Sequence, residues 1–376
     1  MPECINPVWP CAMTGAASCL AGFAGIGIII HGPSGCYFYP ATILHRTLYC
    51  SFLISDDIVC GTAGRLHDLI SSLSGQYEKI AVISTCIPSL IGEDVRDLPG
   101  GDDVLIIDSP GFLGDYEAGY RNALAKLPVR EDPGSKGINI DGISLMDPFC
   151  NGNVMEGRRI LDRMGIPAAT LFCHDDLRML DTISPFTITT NPDLSTGNGQ
   201  SLGCFLGLEG VRSACGKIAE IFPFSDTGTV LEETDTAEER IIHACDRYMR
   251  RFDPPSVAIF SGNGYGHFLA DMLNRYLDAE ILCIGSRNGI TPSRFPAIQV
   301  TDLGQIRHLI QSGKPDLIFG SSFEYSVRDG AAFIPVTPPV RGTVRLRSHP
   351  ICGIEGALSC IEETLNACMD RERTTT

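Results

Sequence analysis

Short apolar runs alternate with amphipathic stretches along most of the chain. Residues 79–84 and 104–108 are largely apolar, which is typical of strands buried on both faces of a parallel sheet. Between such runs, leucines and isoleucines recur at helical spacing, as in residues 66–73. Because strands and helices alternate in three successive stretches, we expect an α/β fold of three Rossmann-like units with parallel sheets.

Changes in composition divide this pattern into three predicted domains. Residues 128–136 are polar and contain Glu-Asp-Pro-Gly-Ser, which indicates a linker, and residues 232–251 form a charged helical stretch before another buried strand. The predicted domains are an N-terminal α/β domain at 1–128, a second at 129–250, and a third at 251–376 that contains a C-terminal helix.

Three cysteines of the first ninety residues stand in loop-forming contexts. Cys11 follows Trp-Pro, Cys36 closes the segment His-Gly-Pro-Ser-Gly-Cys, and Cys86 follows a predicted strand and precedes a helix expected from Pro88 or Ser89. The carboxyl end of such a strand is where open α/β sheets bind ligands. Thiolates on separate loops are typical of an iron–sulfur cluster, whereas a zinc ribbon requires Cys-x-x-Cys pairs. The alternative is that reduced cysteines fill the core.

Composition narrows the class of protein further. The 376 residues carry a net charge of −16, which argues against nucleic-acid binding because phosphate affinity needs clustered Lys and Arg. The apolar stretch at 20–30 is too short and too rich in glycine for a membrane helix. Sixteen cysteines without an N-terminal secretion signal favour a reducing compartment. We therefore expect a cytoplasmic protein that binds neither nucleic acid nor membrane.

The three cysteine segments resemble those of the nitrogenase component 1 superfamily. The segments Trp-Pro-Cys, Gly-Pro-Ser-Gly-Cys and Thr-Cys-Ile-Pro-Ser-Leu-Ile-Gly-Glu-Asp resemble the three that hold the electron-relay cluster in that family. Residues 110–115 resemble its Gly-Phe-x-Gly segment near the substrate, while 147–165 and 314–322 resemble its second and third domains. The resemblance implies a nitrogenase component 1-like fold whose first domain binds a [4Fe–4S] cluster through three ligands. These implied ligands are Cys11, Cys36 and Cys86.

At 376 residues, the chain is shorter than typical nitrogenase subunits and is similar to the catalytic components of the Ni-sirohydrochlorin a,c-diamide reductive cyclases of methanogenic archaea. That resemblance implies a homodimer supplied with electrons by a separate ATP-hydrolysing iron–sulfur reductase of the nitrogenase iron-protein type. It also implies a nickel tetrapyrrole substrate that is reduced and closed to a lactam during biosynthesis of the nickel coenzyme of methanogenesis. The sequence has no Gly-x-x-x-x-Gly-Lys-Ser/Thr motif, so MgATP is expected only on the partner.

Three alternative functions stay open on the sequence alone. They are a scaffold for the assembly of another metal cofactor, a component of a different tetrapyrrole reductase, and a solute-binding module. An iron-free, colourless protein would favour the last of these.

The fourth cluster ligand is also open. Cys60 is a possible ligand, with packing in the core or at an interface as the alternative. Cys19 competes with Cys11, although the spacing of 25 residues to the second cysteine and the Trp-Pro context favour Cys11. The remaining possibilities are Cys19, Asp56, Asp57 and a thiolate of the second subunit.

Several residues are candidates for substrate chemistry. Asp115 and Glu117 follow the Gly-Phe-x-Gly segment and could donate protons, but acidic residues also stabilise a helix N-terminus there. For the histidine candidates at the end of this set, the alternative is a structural role, which is commoner for a lone histidine. The Gly-x-Gly-x-Gly segment at 262–266 indicates a tight strand-to-helix turn, because its spacing differs from that of dinucleotide-binding folds. The candidate substrate-binding residues are His31, His45 and Tyr120, with His174 as a further donor or nickel ligand.

Overall fold

The computed structural model describes residues 7–93 and 100–375, which form two compact units. The first unit contains the described residues up to Asp132 together with Ser144–Met146 and Phe172–Ile183. The second contains Pro133–Ile143, Asp147–Leu171 and the described residues from Ser184 onward.

The first unit holds one four-stranded parallel sheet with helices along its connections. Its strand order is β2-β1-β3-β4 in the numbering given below. The core beside this sheet is formed by Ile29, Leu66, Ile70, Leu73, Ile80 and Val82. Its elements are α1 (Ala12–Ala21), β1 (Ile26–His31), α2 (Ser34–Leu44), β2 (Tyr49–Cys50), α3 (Ser55–Cys60), α4 (Ala63–Leu73), β3 (Lys79–Ser84), α5 (Cys86–Ile91), β4 (Val104–Asp108) and α6 (Tyr116–Leu124).

The carboxyl ends of β1, β3 and β4 lie in register. His31 is paired with Ser84, and Ser84 is paired with Asp108. The chain therefore leaves three neighbouring strands at one edge of the sheet. The loop that precedes α2, the start of α5 and the turn at 109–115 all begin there.

Two glycines let α1 and α6 touch backbone to backbone. A β-carbon on Gly15 would lie 1.8 Å from the carbonyl oxygen of Tyr116, and one on Gly119 would lie 1.8 Å from that of Ala12. The amide of Ala12 also donates to the carbonyl of Gly114 at 3.2 Å. Glycine is required at this crossing because any side chain would separate the two helices. The crossing fixes the start of α1 beside the 109–115 turn.

The second unit begins with another four-stranded parallel sheet. Its strand order is β6-β5-β7-β8, so the first strand of the unit lies inside the sheet. Two long helices follow the last strand. The elements are β5 (Ile138–Asp141), α7 (Cys150–Arg163), β6 (Ala168–Leu171), β7 (Phe186–Thr189), β8 (Gln200–Cys204), α8 (Gly207–Ile221) and α9 (Thr227–Met249).

The same unit continues with a five-stranded parallel sheet of order β11-β10-β9-β12-β13. The last helix begins against α7, where the Glu156 carboxylate accepts hydrogen bonds from the amides of Ile354 and Glu355 at 2.9 and 3.1 Å. The elements are β9 (Ser256–Ser261), α10 (Asn263–Leu277), β10 (Glu280–Ser286), β11 (Ala297–Gln299), α11 (Leu303–Gly313), β12 (Leu317–Gly320), α12 (Ser322–Tyr325), β13 (Ala332–Pro335) and α13 (Gly353–Thr375).

A side chain of the same unit fills the glycine-rich turn between β9 and α10. Gly264 donates its amide to the Asp193 carboxylate at 3.1 and 3.0 Å. A β-carbon on Gly262 would lie 2.4 Å from one of those oxygens. The predicted tight strand-to-helix turn is confirmed, and a carboxylate occupies the helix N-terminus where dinucleotide-binding folds hold phosphate.

The three parallel sheets confirm the predicted α/β fold class. The domain boundaries at 128/129 and 250/251 stay a prediction. One helix start was wrong: α5 begins at Cys86 rather than at Pro88 or Ser89, because proline is tolerated in the first turn of a helix. Within residues 7–93 and 100–375, no helix is long and apolar enough to cross a membrane.

We predict that Gly119→Ala lowers the free energy of unfolding by about 1–3 kcal/mol, because the new methyl group overlaps the backbone of α1. Urea unfolding measures the effect. Gly216→Ala is the matched control: it lies in a helix with no atom within 4 Å of an added β-carbon, so it should be neutral or stabilise by up to about 1 kcal/mol. Equal midpoints for parent and Gly119→Ala would contradict the close crossing.

Asp141, at the end of β5, is fully buried and accepts hydrogen bonds from the amide and hydroxyl of Thr196 at 2.6 and 2.9 Å. Burial outweighs these bonds and raises the pKa of Asp141 to about 6. The folded state therefore binds this proton more tightly than the unfolded chain does. The stabilisation from protonation is present at low pH and is lost as the pH rises through the folded pKa.

We predict that the free energy of unfolding of the parent falls relative to Asp141→Asn by about 2 kcal/mol between about pH 4 and about pH 7. The asparagine cannot titrate, so the difference between the two proteins isolates this group. Urea midpoints at a series of pH values provide the measurement. A difference that does not change with pH would refute the assignment.

Candidate metal centre

The three predicted ligand cysteines each lie at the start of a helix. Cys11 immediately precedes α1, Cys36 lies in the first turn of α2, and Cys86 is the first residue of α5. All three side chains are partly exposed. A helix N-terminus carries partial positive charge, which favours a thiolate and an anionic cluster.

Gly111 lies between two of these thiols. Its amide donates to the Cys86 sulfur at 3.1 Å. A β-carbon on Gly111 would lie 3.3 Å from the Cys11 sulfur and 3.4 Å from the Cys86 sulfur. Both sulfurs therefore face one backbone position, where only glycine leaves the space between them open.

The third thiol interacts electrostatically with the other two. Burial, together with negative charge on Cys11 and Cys86, raises the pKa of Cys36 to about 11. A hydrogen bond with the Thr85 hydroxyl partly offsets these effects. The Cys36 proton is therefore retained at neutral pH in the iron-free chain, and a bound metal would displace it.

The donor set fits an iron–sulfur cluster better than a single ion. Within the described ranges, no three His, Cys, Asp or Glu side chains stand ready to bind one metal ion together. A cubane cluster takes each thiolate on a different iron, so its ligand sulfurs stay farther apart than those around one ion. Three thiols, an amide directed at one sulfur and an open glycine position are the features that such a cluster requires.

Sequence reasoning missed two residues that support the thiols. Thr85 is fully buried, and its hydroxyl donates to the carbonyl of His31 at 2.9 Å while it also hydrogen-bonds Cys36. A β-carbon on Gly32 would lie 2.1 Å from that hydroxyl oxygen, so glycine is needed beside it. Gly32 is the first glycine of the Gly-Pro-Ser-Gly-Cys segment and Thr85 immediately precedes Cys86. These positions in the cysteine segments were the sequence signals for a supporting role.

His31, predicted to bind substrate, is fully buried at the end of β1. Its Nδ1 lies 3.0 Å from the Ser51 hydroxyl oxygen, and its Nε2 lies 2.8 Å from a carboxylate oxygen of Glu93. Each ring nitrogen of His31 therefore lies within hydrogen-bond distance of a protein side chain.

Asp115 and Glu117, the two predicted proton donors, accept hydrogen bonds within the fold, and Tyr120 is buried. The Asp115 carboxylate accepts the amide of Ala118 at 3.0 Å and so caps α6. The buried Glu117 accepts the indole N–H of Trp9 at 3.0 Å. Tyr120 is fully buried in the core of the first unit. Their proposed roles in substrate chemistry stay predictions.

The remaining candidates are His45, His174, Asp56 and Asp57. His45 is exposed at the carboxyl end of α2, and His174 lies beside Asp175. Asp57 accepts the amide of residue 54 and pairs with Arg65 at 3.2 Å, whereas Asp56 is exposed.

Cys19 lies with a different thiol. Its sulfur is 3.4 Å from that of Cys173, and both side chains are fully buried. This pairing favours Cys11 over Cys19 as the first cluster ligand. The side chain of Cys60 lies outside the described part of the chain, so the fourth ligand stays open.

The family model "Nitrogenase component 1 type Oxidoreductase" matches residues 11–193 and 199–369. The chain belongs to this family. Members typically bind iron–sulfur clusters, pair with an iron-protein reductase and form oligomers.

Individual relatives support the same class. The chain is 24% identical to the nitrogenase molybdenum-iron protein beta chain of Azospirillum brasilense in an alignment of 438 positions that covers 96% of this chain and 82% of the relative. The beta chain of Bradyrhizobium diazoefficiens is 28% identical over 208 residues, which are 47% of this chain and 39% of the relative.

A cofactor-assembly protein and a solved structure are also similar. The nitrogenase iron-molybdenum cofactor biosynthesis protein NifE of Clostridium pasteurianum is 24% identical over 315 residues, covering 74% of this chain and 68% of the relative. The solved structure "Nitrogenase Cp1 at pH 6.5" superposes with a TM-score of 0.82 at 16% identity, over 99% of this chain and 94% of that chain, and shows the shared fold.

We predict that Cys36→Ala removes most of the iron bound by the anaerobically purified protein, because the cluster loses a ligand. Iron per chain and the visible absorption spectrum measure the loss. Cys283→Ala is the matched control, since Cys283 is a buried cysteine in β10. Full iron retention by Cys36→Ala, or equal loss in both variants, would remove Cys36 from the ligand set.

Proposed function

We propose that this chain is the cluster-bearing catalytic component of a nitrogenase-like reductive enzyme, supplied with electrons by a separate ATP-hydrolysing iron–sulfur reductase. The main support is the position of Gly111 between the sulfurs of Cys11 and Cys86, with the charge of both acting on Cys36. Membership of the nitrogenase component 1 family supports the same class of reaction.

The bound cluster supplies single electrons at low potential, and its environment sets that potential. Cys11, Cys36 and Cys86 would hold it from the starts of α1, α2 and α5. The amide of Gly111 donates to the Cys86 sulfur and stabilises negative charge on it, which favours the reduced state. The start of α1 stabilises negative charge on the Cys11 sulfur in the same way.

We assign Ni-sirohydrochlorin a,c-diamide as the substrate, reduced in several one-electron steps with closure of a lactam ring. The similarity of the chain to the catalytic components of the reductive cyclases supports this assignment. Asp115 and Glu117 stay the proposed proton donors, with His45 and Tyr120 as proposed substrate contacts.

We also propose that the chain acts as a homodimer. Many large apolar side chains are exposed on the elements around the cysteines, and exposed apolar surface of this kind marks an interaction site. The surface would cover the cluster and exclude water from it. These exposed side chains are Phe38, Tyr39, Phe52, Ile54, Val59, Leu90, Ile91 and Leu113.

A second candidate function is a scaffold on which another metal cofactor is assembled. The alignment with the cofactor-biosynthesis protein NifE over 74% of this chain favours it. A scaffold binds and releases a metal cofactor without consuming a tetrapyrrole, so the two functions are separable by product analysis.

The test is anaerobic turnover with an ATP-hydrolysing iron–sulfur reductase, MgATP and Ni-sirohydrochlorin a,c-diamide. We expect mass spectrometry to detect a reduced, lactam-containing product that requires all components and is lost in Cys36→Ala. A cluster that is reduced without change in the tetrapyrrole would refute the substrate. A chain that binds no iron would refute the redox function itself.

A further inference from the structure

A chain of hydrogen bonds connects the loop that carries Cys36 with the end of α5. The amide of Gly32 donates to the Ser51 hydroxyl at 3.0 Å, and that hydroxyl oxygen lies 3.0 Å from His31 Nδ1. His31 Nε2 lies 2.8 Å from Glu93, whose other carboxylate oxygen accepts the Thr62 hydroxyl. We name these five residues the His31–Glu93 relay.

The donors of the relay run toward Glu93 from both ends, from Gly32 through Ser51 and His31 on one side and from Thr62 on the other. With Gly32 donating to Ser51, the serine proton is available to His31 Nδ1, which leaves the ring proton on Nε2 for the Glu93 carboxylate. A neutral imidazole satisfies every one of these bonds. Because His31 is fully buried and Ser51 is 3% exposed, water cannot replace a broken bond there at low cost.

The two ends of the relay belong to two different ligand segments. Gly32 lies four residues before Cys36 in the loop that enters α2, whereas Glu93 follows α5, which Cys86 begins. The amide of Glu93 donates to the carbonyl of Pro88 at 3.1 Å, so its backbone is tied to the same helix. The relay therefore connects one thiol-bearing segment with the other.

We propose that the His31–Glu93 relay is a positioning device, which holds the Cys36 and Cys86 segments at the separation required by the cluster and tunes its reduction potential. The proposal rests on the proposed function only in that the chain binds a cluster. His31 and Glu93 act through the backbone of the ligand segments and touch neither substrate nor cluster. This role replaces the substrate contact predicted for His31.

Three variants test the proposal. Glu93→Ala removes the acceptor from the buried Nε2–H and should speed the loss of iron to a chelator by about 10- to 100-fold, the usual effect of a lost supporting contact. Glu93→Gln restores an acceptor for His31 and lets its amide donate to Thr62, so it should keep the iron. Removing one negative charge should nevertheless make its cluster potential more positive. Ser51→Ala interrupts the relay at its other end and should release iron faster than the parent.

Glu78→Ala is the matched control, since it removes a carboxylate of the same unit that pairs with the exposed Arg178. It should match the parent in iron loss, potential and electron paramagnetic resonance spectrum. Melting of the iron-free chains separates misfolding from altered iron binding. If Glu93→Ala does not accumulate, Glu93→Gln and Ser51→Ala decide the question.

The outcomes separate this proposal from the proposed function. A parent chain without iron refutes the cluster, and with it the proposed function. A parent that holds a cluster, together with Glu93→Ala and Ser51→Ala variants that equal it in iron loss, potential and spectrum, overturns the relay alone. Equal iron loss from Glu93→Gln and Glu93→Ala also overturns it, because restored hydrogen bonding should then have rescued the site.

Discussion

The alignment of three parallel strands is the constraint on which the site depends. In a parallel ladder, the register of one pair fixes the point at which both chains leave the sheet. Here β1, β3 and β4 end opposite one another at His31, Ser84 and Asp108. Loops of only a few residues then bring Cys36, Cys86 and the 109–115 turn together, and short loops lose little conformational freedom on folding.

The position of Cys11 near the 109–115 turn has a different cause. This cysteine is carried by a helix rather than by a strand of the sheet, so its position depends on the crossing of α1 and α6. Gly15 and Gly119 allow the two backbones to touch, and the contact draws the start of α1 against the turn that contains Gly111. A helix packed through side chains would lie farther away, because interaxial distance grows with side-chain size.

The fold class and the three ligand thiols could be predicted from the sequence more readily than the residues that surround those thiols. Apolar runs such as 79–84 have a clear period, and cysteines in Gly/Pro-rich segments are conspicuous. The His31–Glu93 contact joins residues 62 positions apart, and nothing in local spacing reports which buried histidine meets which carboxylate. The short strand β2 and the six-residue α3 have too few residues to show a period. Gly111 was noticed as part of a motif, but its contact with two sulfurs is a property of the folded chain.

The carboxylate of Asp193 gives the second unit an internal substitute for phosphate. Its oxygens accept the hydrogen bond of the Gly264 amide, and one of them fills the space that a nucleotide would need beside Gly262. An incoming phosphate would meet like charge and an occupied donor. The Rossmann-like strand-to-helix turn is therefore present, but Asp193 occupies the position where such a turn would bind phosphate. The turn is self-contained in this chain, and a search for ligands is better directed to the thiol-bearing edge of the first sheet.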